Sequence, residues 1–83
     1  MSTSTIQLTK EEIVQRGNEI YENSLRSKIE EGNLGKVVAI DVRTGEFELA
    51  SNAIISSNNL RTRLPEALIF VLRVGYPSLH RIL

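Results

Sequence analysis

The chain has no cysteine among its 83 residues. That excludes a disulfide framework, thiolate metal ligation and a cysteine nucleophile. Its single histidine is His80, flanked by Ser78 and Arg81 with no acid beside it. Neither a general acid–base pair nor a metal-ligand set is therefore written into the local sequence. No apolar run approaches the roughly 18 residues of a membrane span. Met1 to Thr5 is small and polar, without the basic and apolar regions of a signal peptide. The expected location is cytoplasmic. Charge of one sign is also missing, since ten basic residues balance ten acidic ones. Residues 43–83 carry five arginines and three acids. That excess is too small to argue for nucleic acid by itself.

What remains is ordinary globular composition, 41% hydrophobic and 24% charged. The length implies one domain near the size where a single core is only marginally sufficient. A partner or self-association would help such a domain.

Residues 1–8 are expected to be a flexible tail, and residues 9–83 a single α+β domain. Thr9 with Glu12 three residues on has the pattern of a capping box opening a helix. Val14, Tyr21, Leu25 and Ile29, with Ile13 and Ile20 beside them, form one apolar stripe to about Glu31. Gly17 interrupts this helix at a cost of about 1 kcal/mol relative to alanine; it is either tolerated or marks a close approach. The segment Gly32-Asn33-Leu34-Gly35 ends the helix. Residues 35–49, GKVVAIDVRTGEFEL, read as a β-hairpin with Gly45 as the left-handed turn residue. Val38, Ile40 and Val42 alternate onto one face, and Val37 and Ala39 make the other face apolar too, as in a strand covered on both sides or one covered at its edge. Ser51 or Asn52 caps a second helix to about Arg63, stopped by Pro65. Residues 67–74 read as a central strand with two apolar faces. Gly75 to Ser78 is expected as a turn, and Leu79 to Leu83 as a short edge strand. The predicted fold is a small two-layer α+β sandwich of order α-β-β-α-β(-β). Its sheet is mixed, of three or four strands, with the 67–74 strand in the middle.

Few residues point to chemistry. Asp41 enters the hairpin turn, where a carboxylate accepts hydrogen bonds from the loop backbone. The functional alternative pairs it with Arg73 across neighbouring strands. Asp41-Val42-Arg43-Thr44-Gly45 superficially resembles an aspartic-protease loop. Two inserted residues break that motif, and a second copy is absent. The glycines do not form a phosphate loop, because none sits in a glycine-rich turn before a helix. Arg61 and Arg63 are expected on a solvated helix face. Arg73 is the one charge in an apolar strand and must reach solvent, an acid or a partner. Tyr76 beside it offers an amphipathic contact.

The run Gly35 to Asp41, then Thr44-Gly45, Leu64-Pro65 and Arg73-Val74-Gly75-Tyr76, resembles a family of small uncharacterised prokaryotic proteins, largely cyanobacterial. These share a Gly-Lys-x-Val-Ala-Ile strand and a strand ending in Arg-x-Gly. The likeness extends from about Glu11 onward. Members are often encoded beside retropepsin-like aspartic proteases, which implies a two-component or antitoxin-like pairing. No functional residues carry over from it. The expected function is a non-enzymatic protein-interaction module, contacting another protein through Arg73, Tyr76, Arg81 and Asp41, without cofactor, metal or catalytic residues. Homo-oligomerisation stays open. The alternative is a nucleic-acid-binding regulator using Arg43, Arg61, Arg63 and Arg81. An enzyme would need an acid–histidine constellation assembled around His80 by folding.

Overall fold

The structure is a computed structural model that describes residues 8–82, with side chains as far as Tyr76 and backbone alone over 77–82. The tail expectation falls mostly outside the described residues. Leu8, its last member, packs against the core.

Helix formation begins where the capping pattern places it. Thr9 Oγ1 accepts from the Glu12 N–H at 3.1 Å, and Glu12 Oε1 accepts from the Thr9 N–H at 2.9 Å. Helix α1 (Lys10–Ile20) continues through a π-helical turn (Tyr21–Leu25) into α2 (Arg26–Ile29). The wide turn has a reason in the sequence. Gly17, Tyr21, Leu25 and Ile29 are all buried and four residues apart. In a regular helix each four-residue step overshoots one turn by about 40°. The π turn, with the Arg26 N–H bonded to the Tyr21 carbonyl five residues back, removes part of that drift. Glu22 and Glu30 bracket Arg26 on the exposed side, as expected of i,i+4 partners.

Strands β1 (Val37–Asp41), β2 (Phe47–Ala50), β3 (Ile69–Arg73) and β4 (Tyr76–Ile82) form one sheet in the order β2-β1-β3-β4. The α+β class, the element order and the inner position of the 67–74 segment agree with the sequence reading. Every pairing is antiparallel, so the sheet is not mixed. Strands β2 and β3 run parallel, but β1 lies between them and pairs with both. Helix α3 (Ala53–Arg63), which joins β2 to β3, is capped by Asn52, whose Oδ1 accepts from the Ile55 N–H.

The helices lie on opposite faces, which corrects the two-layer expectation to three layers. Tyr21, Leu25 and Ile29 pack on Val38, Ile40, Phe70 and Leu72, whereas Leu60 of α3 packs on Val37, Ala39, Ile69 and Val71. The cause is the double apolar alternation of β1 and β3. With both helices on one face, the other apolar face would stay in water. A second correction concerns the last hairpin. The turn is Val74-Gly75, and β4 starts at Tyr76 rather than Leu79. The extra strand residues are accommodated by an irregularity, since Tyr76 pairs with Arg73 but His80 pairs with Leu72.

Candidate functional site

The two sequence-predicted residues Asp41 and Arg73 stand at opposite ends of the sheet. In the β1–β3 register Asp41 faces Ile69, while Arg73 faces Val37. They form no ion pair, because three intervening residue pairs separate them. The register that makes both strands central also keeps these two residues apart.

Asp41 is buried and serves as a turn carboxylate. Its Oδ1 accepts from the Arg43 N–H at 3.1 Å and the Leu68 N–H at 3.2 Å, and Oδ2 accepts from Thr44 Oγ1 at 3.0 Å. It thus ties the β1–β2 turn to the segment entering β3. Gly45, with φ of +85°, lets that turn close. Beside Asp41 lies an open cavity of about 350 Å³ walled by Arg43, Thr44 and residues 64–67.

The opposite end is built differently. Gly35 N–H bonds the Val74 carbonyl and Val74 N–H bonds the Lys36 carbonyl, which locks the loop after α2 onto the β3–β4 turn. Arg73 Nη1 donates to Gly35 O at 2.7 Å. Next to this contact two large side chains are exposed. Leu34 is 68% exposed and Tyr76 51% exposed. Leu34 and Gly75 touch, since a Cβ on Gly75 would meet Leu34 Cδ2 at 2.6 Å. Helix α3 begins at this end too, because Ala50 pairs with Val37 and Ala53 follows three residues later. Its first turn exposes Ile54 and Ile55. Sequence reading missed both isoleucines and Leu34. An apolar residue inside a glycine-bounded loop was the available signal for Leu34.

Beneath this end the Tyr21 hydroxyl is pinned. It donates to Glu30 Oε2 at 3.3 Å, and the Gly75 backbone hydrogen-bonds it as well. Burial pushes the phenol pKa above 10.0, the Gly75 bond opposes this, and the nearby Glu30 carboxylate adds to the rise.

Arg63 is exposed, as expected of a solvated helix face, yet its guanidinium is fully engaged. Its Nε meets Glu48 Oε2 at 2.7 Å, Nη1 meets Glu46 Oε1 at 3.0 Å, and Nη2 donates to Phe47 O at 3.1 Å. The hydrogen bond it donates to Glu46, reinforced by the one to Glu48, raises its pKa above the usual arginine value. One of the four arginines considered for nucleic acid is therefore committed to two glutamates. Arg81 pairs with Val71 and His80 with Leu72 through the backbone.

Among the described residues no group of three or more His, Asp or Glu side chains is placed to hold a metal ion, and no helix is long and apolar enough to cross a membrane. No family model, no curated protein and no solved structure matches this chain.

Proposed function

We propose that the chain is a small, non-enzymatic protein-interaction module that contacts its partner through the sheet end bearing Leu34, Arg73 and Tyr76. One observation carries this reading. Two large apolar side chains, more than half exposed, flank an arginine that meets no carboxylate among the described residues. Tyrosine and arginine with an apolar neighbour are the side chains that most often dominate protein contacts, because they bury large area and satisfy polar groups together. Asp41, at the other end, has no part in this surface. The concrete version, motivated by the family resemblance, is an antitoxin-like or regulatory partner of a neighbouring gene product.

The test is co-expression with that neighbouring product, followed by calorimetric titration of Arg73→Ala and Tyr76→Ala. Each substitution is expected to weaken binding about tenfold or more, with the melting temperature little changed. Unchanged affinity in both variants overturns the assignment of this surface.

A further inference from the structure

Strand β2 is an outer strand, and among the described residues no element runs along its far side. The register decides which of its groups face outward. The Asp41 N–H bonds Glu46 O at 2.8 Å, so these two residues form a hydrogen-bonded pair. Antiparallel strands alternate bonded and non-bonded pairs. Glu48 and Ala50, opposite Ala39 and Val37, therefore turn their backbone groups towards β1. Phe47 and Leu49 point theirs off the sheet. Of these outward groups the Phe47 carbonyl is occupied, by Arg63 Nη2. The same guanidinium is held by Glu46 and Glu48 from the face that α3 covers. Three acceptors thus fix one planar fork against the strand edge.

We propose that Arg63 guards the β2 edge, and that the surface it guards fits the β2 strand of a second copy of this chain. A twofold axis at Leu49 sets Leu49 opposite its own counterpart, and the two residues exchange both outward hydrogen bonds. That register places Glu48 opposite Ala50, so no glutamate faces a glutamate. The next outward pair on each side joins Phe47 to Ser51 of the other copy, and it requires the carbonyl that Arg63 occupies. Arg63 leaves only the central pair open and denies both flanking ones. Exposed edges are a standing risk of unwanted strand pairing, and a charged side chain on the edge is a common protection. The inference is independent of the partner surface proposed above, which lies at the Arg73 end of the sheet.

The experiment compares the full chain with Arg63→Ala by sedimentation velocity and by NMR-detected amide exchange, and no second protein is needed. The wild-type chain is expected to be monomeric, with the Phe47 and Leu49 amides exchanging quickly. Arg63→Ala is expected to dimerise about tenfold or more tightly, the scale of one hydrogen bond to a charged group. Its Leu49 amide slows as concentration rises. Arg63→Lys keeps the charge and stem but not the fork, and should fall between the two. If the alanine variant does not fold, the lysine variant decides by the same two readouts. A folded variant that stays as monomeric as the wild type overturns the proposal. So does association that leaves the Leu49 amide unprotected.

Discussion

Gly17 and Phe70 approach so closely that no side-chain carbon fits between them. A Cβ built on Gly17 lies 2.8 Å from Phe70 Cβ, and closer still to Cγ and Cδ2 of the ring. The first helix therefore lies against β3 through a glycine. Gly17→Ala should destabilise the protein despite improving helix propensity. The gain is about 1 kcal/mol, whereas overpacking a tight core costs about 1–3 kcal/mol. A fall in the urea midpoint is expected, and a rise would show that the helix can back away from Phe70 freely.

Asp41 holds three donors from two chain segments, and that predicts the largest single polar loss among its neighbours. Asp41→Ala leaves the part-buried Leu68 N–H, at the entry to β3, without its acceptor, at a cost of about 2 kcal/mol. Asp41→Asn retains one acceptor oxygen and should lose less. Equal unfolding midpoints for wild type and Asp41→Ala would show that the carboxylate does not tie the turn to β3.

Tyr21 carries a pH prediction. Its folded-state pKa lies above the ordinary 10.0, chiefly because burial disfavours the phenolate, with the Glu30 carboxylate adding to the rise. For a folded pKa raised above the unfolded value, the contribution is complete below the unfolded pKa. It disappears as pH rises through the folded value. Stability should therefore decline above pH 10.0 as the unfolded phenol loses its proton first. Tyr21→Phe should lose about 1 kcal/mol at neutral pH and flatten that alkaline decline. Denaturant midpoints measured on both sides of the phenol pKa check the slope; an unchanged slope would assign it to other groups.

These sites differ in how far the sequence announces them. The Thr9–Glu12 box and the Gly45 turn are short-range chemistry, complete within a few residues, and are found as read, while of the two cap candidates Ser51 and Asn52 the helix uses Asn52. The covering of both sheet faces was visible in the double alternation of β1 and β3, yet the two-layer expectation left one of those faces exposed. Gly17 was undecidable, since its reason is a ring 53 positions away in the chain. The ion pairs of Arg63 were hidden because Glu46 and Glu48 reach it only through the packing of α3 on the hairpin. The π turn was hidden for a related reason. A four-residue spacing is compatible with a regular helix until the sheet demands that every fourth residue face the same way.

Helix α3 reverses the usual pattern, and its serines yield the last prediction. Ser56 and Ser57 are buried, while Ile54 and Ile55 in the preceding turn are exposed. Small residues let α3 approach Ala39 and Val37 closely. Ser56 Oγ donates to the Ala53 carbonyl at 3.2 Å, but Ser57 Oγ has no partner among the described residues. A buried hydroxyl without a partner bears its full desolvation cost. Ser57→Ala removes that cost at almost constant volume and adds a few tenths of a kcal/mol of helix propensity. A gain of about 1 kcal/mol in unfolding free energy is expected. Ser56→Ala, which forfeits a hydrogen bond, should gain less or lose. Chemical denaturation of the two variants side by side settles the order, and a loss at Ser57 larger than at Ser56 would mean that the Ser57 hydroxyl is satisfied after all.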